Sequence, residues 1–204
     1  MTQALLLVGG YLAGSLPFGY WLVRLLRDVD IRDVGSGNIG ATNVWRVFGP
    51  RLGLAVVVLD TIKGLVPALV ASLWVGSLWG VIAGAAAMVG HSRPLFLRFA
   101  RGGKMVATCG GASLGVAPVV GGIGAAIWIV VFAACRYASV ASITAALSLP
   151  VVALGLREPW PVIAFAALAA LAVLVLHRGN IDRLRSGTET KVQLRRRKDQ
   201  PARA

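Results

Sequence analysis

The chain has 204 residues, 57% of them hydrophobic and 14% charged, with a mean hydropathy of +0.75. Such a composition is far more apolar than a soluble domain, so the bilayer is the first solvent to consider. A net charge of +13 would in a soluble protein point to nucleic acid, but no zinc-finger spacing, aromatic sheet motif or separate basic domain accompanies it. The basic residues bunch instead at the ends of apolar runs, where they set topology and attract anionic lipid.

Apolar segments run at about 3–26, 53–75, 78–97, 105–120, 121–135, 138–155 and 159–176. Met1-Thr2-Gln3 lacks a basic n-region and no small-residue cleavage site follows, so the first segment reads as a span. The fourth and fifth are shorter than the roughly 20 residues of a full crossing. Between them, Val119-Val120-Gly121-Gly122 reads as a tight turn; the alternative is one long kinked helix. Charge decides in favour of seven spans. Arg24, Arg27, Arg32, Arg46 and Arg51 flank the first connection; Arg93, Arg98, Arg101 and Lys104 lie in the third, and Arg136 in the fifth. With those beyond residue 176, 19 of the 21 basic residues fall on one side, leaving Arg157 opposite and Lys63 within a span. The positive-inside rule then predicts an outside N-terminus and a cytoplasmic C-terminus.

The expected fold class is therefore an all-α polytopic membrane protein with seven transmembrane helices. No repeat or linker divides it: one domain over residues 1–191, then a basic cytoplasmic tail over 192–204 containing Arg195-Arg196-Arg197-Lys198. Cys109 and Cys135 lie in apolar sequence and read as small buried hydrophobes. Two histidines are too few for a His-rich metal site.

Four polar clusters interrupt this apolar chain, all on the expected cytoplasmic side. The first, Gly35-Ser-Gly-Asn-Ile-Gly-Ala-Thr-Asn-Val-Trp-Arg46, combines glycines, short polar side chains and a closing cation. Glycine lets backbone amides approach a ligand, and consecutive amides make an anion-binding concavity; an ordinary connection does not need so long a run of this kind. The second is Asp60-Thr-Ile-Lys63-Gly64, with Pro67. Asp60 and Lys63 share a helix face and can pair. A self-neutralised couple that orients its helix and a role in a site weigh equally here, and Lys63 could also reach along its own stem to the surface.

The third cluster, His91-Ser-Arg-Pro-Leu-Phe-Leu-Arg-Phe-Ala-Arg-Gly102-Gly103-Lys104, opens an apolar helix with two glycines and a cation, the logic of a phosphate loop. The Walker spacing is absent. The fourth follows the last span: His177-Arg-Gly-Asn180-Ile-Asp182, then Glu189 and Lys191. His177 and Asp182 are not read as an acid–base dyad, because a five-residue offset turns about 140° round a helix. Ser36, Ser139 and Ser142 have no dedicated base, so covalent catalysis is not expected.

Ser36-Gly-Asn-Ile-Gly-Ala-Thr-Asn43, Asp60-x-x-Lys63-Gly64-x-x-Pro67, Gly90-His91-x-x-Pro94-x-Phe96-Leu97-x-Phe99 with Gly102-Gly103-Lys104, and His177-Arg-x-Asn180-Ile together resemble one family. It is the bacterial acyl-phosphate-dependent glycerol-3-phosphate acyltransferases, over residues 14–191. The resemblance implies a seven-span inner-membrane enzyme, functional as a monomer, with its site on the cytoplasmic side. It implies transfer of a fatty acyl group from acyl phosphate to the sn-1 hydroxyl of glycerol 3-phosphate, giving lysophosphatidic acid and phosphate. Metal, organic cofactor and nucleic acid have no part in that reaction. By the same resemblance Ser36, Arg46, Lys104, Ser142 and His177 bind glycerol 3-phosphate or the donor phosphate. Asn38, Gly40, Thr42, Asn43, Gly102 and Gly103 surround the donor phosphate, and Asn180 orients the attacking hydroxyl. Lys63, His91 and Glu189 complete the substrate-binding set, with Ser36, Lys104, His177 and Asn180 as the catalytic group. The family pattern continues Gly-Gly-Lys-Gly, whereas this chain has Met105, which is expected to narrow or reshape the loop.

Two other classes use the same clusters. A phosphate or organophosphate transporter would place its substrate near the midplane on broken helices within repeats, and no repeat is visible. A non-catalytic scaffold for anionic lipid would leave the glycine loop unexplained.

Overall fold

The computed structural model describes residues 1–193; the arginine-rich stretch of the tail, within 194–204, lies outside the described residues. Among those described, the regular structure is helical throughout. The elements are α1 (Thr2–Gly14), α2 (Phe18–Arg27), α3 (Ala41–Phe48), α4 (Pro50–Val75), α5 (Ser77–Ser92), a 3-10 turn (Leu95–Leu97), α6 (Val106–Val116), α7 (Pro118–Cys135), α8 (Ala138–Gly155), α9 (Trp160–Leu176) and α10 (Arg178–Arg185).

Each apolar segment read from the sequence carries helix, with ends set by proline and glycine. Pro50 and Pro118 open α4 and α7, where a missing N–H costs nothing. The first segment is broken at Ser15-Leu16-Pro17 into α1 and α2. The tight turn expected at Val119–Gly122 is not there: the break falls at Ala117, before Pro118, and those four residues belong to α7. By length and composition four stretches can cross a membrane, namely Thr2–Arg27, Pro50–Val75, Pro118–Cys135 and Ala138–Gly155. A fifth is counted if α9 and α10, bent by 58°, are one span. At 16 and 11 residues, α5 and α6 are shorter than the roughly 20 that a full crossing takes.

The core is made of small residues, which lets backbones approach where lipid offers no hydrophobic drive. α4 lies directly on α6: a Cβ at Gly64 would overlap the Thr108 carbonyl, and one at Gly111 the Thr61 carbonyl. Ala68, Ala112 and Cys109 continue the seam into a cluster that includes Met88, Leu149 and Phe165.

The connections that carry the polar clusters meet at one end of this bundle. Asn38 donates to the Gly102 carbonyl at 3.0 Å, Arg46 to the Thr190 carbonyl at 2.7 Å, and the Val192 amide to the Arg136 carbonyl at 2.9 Å. The packed body continues past residue 191, since Val192 is buried against Phe132, Ala138 and Ala141.

The α4–α6 seam makes a direct prediction. Gly111→Ala lowers stability by about 1–3 kcal/mol through overpacking, read as a lower unfolding temperature in detergent. Gly122→Ala, whose Cβ meets nothing within 4 Å, leaves it unchanged or raises it slightly.

Candidate active site

The first polar cluster folds around one amide. Asn43, buried in the first turn of α3, accepts from the Ser36 N–H at 2.8 Å through Oδ1. Its Nδ2 lies within reach of the carbonyls of Asn38, Val34 and Ile31 at 2.9, 3.1 and 3.3 Å. Gly35 and Gly37, at φ +62° and +67°, give the left-handed turns on either side of Ser36, a conformation that favours glycine. Asn38 is spent in the same way: its Oδ1 accepts from the Gly40 N–H while its Nδ2 holds Gly102. Neither asparagine has its amide free in the way a phosphate ligand needs. Both shape the loop that presents Ser36, Gly40 and Thr42.

The second loop hangs from the end of α5. The Gly102 and Gly103 amides donate to the Ser92 and His91 carbonyls at 2.9 and 3.1 Å, and the His91 ring packs where a Gly103 Cβ would stand. Lys104 follows and hydrogen-bonds the Asn180 Oδ1. Its partner is thus a neutral amide, not a carboxylate. Burial, chiefly, and the Arg183 guanidinium push the Lys104 ammonium from its usual 10.5 down to about 8.

Glu189 ties the last helix and the C-terminal strap to the site. Its Oε1 accepts from Asn180 Nδ2 at 2.7 Å and Ser139 Oγ at 3.0 Å, and its Oε2 from Arg183 Nε at 2.7 Å. Burial alone would raise its pKa, but these three donors hold it below the usual carboxylate range. The carboxylate therefore organises other side chains. It also faces Arg46 at 3.8 Å, whose Nε is buried with no partner. Such an orphaned donor is costly unless an anion meets it. His177 closes this end, its Nδ1 against the Val173 carbonyl at 2.8 Å. A carbonyl only accepts, so Nδ1 carries the hydrogen and Nε2 keeps its lone pair.

These groups line one cavity of about 420 Å³. Its polar end holds Ser36, Asn38, Gly40, Thr42, Asn43, Arg46, His91, Lys104, Ser142, His177, Asn180 and Glu189, twelve of the fifteen expected site residues. Beyond Trp128, whose indole donates to Ser142 at 3.1 Å, the walls turn apolar. Leu54 on α4 and Ile129 on α7 line it while staying 55% and 61% exposed, so the cavity is open sideways between these two helices.

A family model described as glycerol-3-phosphate acyltransferase matches residues 4–187. Relatives of that name in Desulforudis audaxviator and Syntrophomonas wolfei are 47% and 44% identical, covering 95% and 94% of this chain and 98% of each relative. The chain belongs to the glycerol-3-phosphate acyltransferase family. A crystal structure of PlsY, an integral membrane glycerol 3-phosphate acyltransferase, in its glycerol 3-phosphate form matches with a TM-score of 0.90 at 37% identity. That match covers 95% of this chain and 96% of that one. The lysophosphatidic acid form gives 0.87 at 35% identity, covering 95% and 97%. Membership makes this a membrane acyltransferase, and the transporter and scaffold readings fall away.

Three expected site residues of this family member stand off the cavity wall. Gly102 and Gly103 lie behind Lys104. Lys63 is 4% exposed, paired with Asp60 at 2.7 Å and donating to the Leu16 carbonyl at 2.9 Å, so it does not reach the surface. Met105 corrects a further expectation. It takes φ +66° and ψ −4°, the left-handed geometry of a glycine, and buries its side chain beside Met88 and Cys109. The loop is not narrowed, because the thioether turns into the core. Sequence reasoning missed Arg183, whose charge looked like topology alone, and the role of Ser139 as a donor to Glu189.

Two outcomes follow from this geometry. Met105→Gly relieves about 1 kcal/mol of left-handed strain but empties a buried site worth about 2–5 kcal/mol, so the unfolding temperature falls. Acyl-transfer activity falls as pH rises through about 8, where Lys104 loses its proton, well before an ordinary lysine would. Lys104→Arg, even if slower, moves that fall to higher pH in the rate profile, because a guanidinium stays charged.

Proposed function

We propose that this protein transfers a fatty acyl group from acyl phosphate to the sn-1 hydroxyl of glycerol 3-phosphate, yielding lysophosphatidic acid and inorganic phosphate. The observation that carries this reading is the Arg46 Nε, orphaned among the described residues, beside a lysine with no carboxylate partner among them, at the mouth of a cavity that runs into an apolar, laterally open groove. A phosphate fits one end and an acyl chain the other.

The donor is a mixed anhydride with a good leaving group, so the protein's task is positioning and charge stabilisation. Ser36, Arg46, Lys104, Ser142 and His177 take the two phosphates, with the Thr42 amide in the first turn of α3 adding a donor that no helical carbonyl satisfies. The acceptor hydroxyl attacks the acyl carbon, and the bond from that carbon to the phosphate oxygen breaks. His177 Nε2 takes the hydroxyl proton and passes it to the departing phosphate. Asn180 acts by aiming Lys104. Asn38, Asn43, Gly102, Gly103 and Glu189 hold the loops that do the binding. The acyl chain lies between α4 and α7, facing lipid.

On this reading the packed body, which runs through Val192, forms one domain, monomeric, in the bacterial inner membrane. The seven apolar helical units cross it with the N-terminus outside and the site on the cytoplasmic side. Support comes from the charge asymmetry of the sequence and from the gathering, at one end, of the connections that carry the polar clusters. α5 and α6 then cross as short helices, the bilayer thinning locally around them.

Purified protein in detergent, given acyl phosphate and glycerol 3-phosphate, releases phosphate only when both are present. Ser36→Ala and Lys104→Ala each lose about a hundredfold or more in turnover at an unchanged unfolding temperature. Folded protein with no acceptor-dependent release would overturn the reading.

A further inference from the structure

We propose that Asp60, Lys63 and His91 are positioning residues that set the Gly102–Lys104 loop from inside the bundle. This inference rests on the reading that the loop holds the donor phosphate.

A buried ion pair usually costs more in desolvation than it returns, and apolar replacements are often as stable. Asp60 and Lys63, both under 5% exposed, therefore need a reason beyond stability. Their surroundings supply one. The two charges meet at 2.7 Å through Asp60 Oδ1. His91 Nδ1, buried and without a hydrogen-bond partner among the described residues, faces the same oxygen at 3.7 Å. That is too far for a hydrogen bond but close enough for the carboxylate to fix the ring's orientation. The opposite edge of the ring, Nε2, presses on Gly103 so closely that no Cβ fits there. His91 also accepts the Gly103 N–H through its own carbonyl. On its far side Lys63 donates to Leu16, a carbonyl at the break between α1 and α2.

A connected line thus runs from that break through Lys63, Asp60 and His91 to the glycine before Lys104. It joins the α1–α2 break, α4 and α5 to the loop. Asp60 and Lys63 act through the imidazole, which is the wall the loop rests on. The position of Lys104 is set by the bundle interior rather than by solvent-exposed backbone.

The test is steady-state kinetics of the purified enzyme with each substrate varied. Asp60→Asn and His91→Ala each raise the KM for acyl phosphate about tenfold while that for glycerol 3-phosphate moves less than about threefold. The combined variant is no worse than the worse single one, since residues acting through one another are non-additive. Losses that multiply, or equal changes in both KM values, would overturn the proposal. Asp60→Asn strands the Lys63 charge and can unfold the protein, so Asp60→Asn/Lys63→Met removes both charges. That variant unfolds at or above the wild-type temperature yet keeps the raised KM. A wild-type KM in it would reduce the pair to a structural one. Lys104→Ala run alongside separates the two failures: if it stays active, the site reading is wrong, and if it is inactive while the relay variants behave additively, only this inference falls.

Discussion

The polar end of this protein depends on how closely α4 can lie against α6. Gly64 and Gly111 remove the side chains that would hold the two helices apart, and the gap that closes brings the Asp60 turn of one beside the start of the other. Lys104 stands two residues before α6 begins. A wider crossing would move that lysine away from Asn180 and from the Ser36 loop on α4's other flank. In lipid, where apolar surface gives no drive for association, this small-residue seam supplies the packing on which the ionic groups are arranged.

Positive charge is in excess around the cavity, and the Glu189 carboxylate keeps one end of it in order, while Asp60, which also lines the cavity, is paired with Lys63. Glu189 draws Asn180, Ser139 and Arg183 together and leaves Lys104 and the Arg46 Nε facing inward. The economy lies in what Glu189 does not do: it satisfies the scaffold while the cations that face the cavity stay available.

Much of this was legible in the residues. The apolar runs located the long helices, and glycines beside short polar side chains marked the loops, because both signals are local; the short helices α3 and α10 lie in the polar connections and were not located that way. The break at Ala117 was displaced from the expected Val119–Gly122 because Pro118 dominates a helix start, whereas Gly121 is there for packing on Leu114. Asn38 and Asn43 looked like ligands by composition; only three-dimensional partners reveal that their amides are consumed within the loop. Lys63 could equally have reached the surface, and what decided it was a carbonyl 47 positions away. Arg183 carried no local signal at all, since its meaning depends on a turn that brings Glu189 back upon it.

The sideways opening between Leu54 and Ile129 has a consequence for how the enzyme experiences its substrates. On the proposed function, the water-soluble acceptor arrives at a concentration set by the aqueous phase. A donor that enters through the flank arrives at a concentration set by its mole fraction in the surrounding lipid. The two reactants are thus supplied from different phases, one three-dimensional and one nearly two-dimensional. On that proposed reading, added inert lipid or detergent would dilute the donor without touching the acceptor, and the product would be delivered into the leaflet without crossing water.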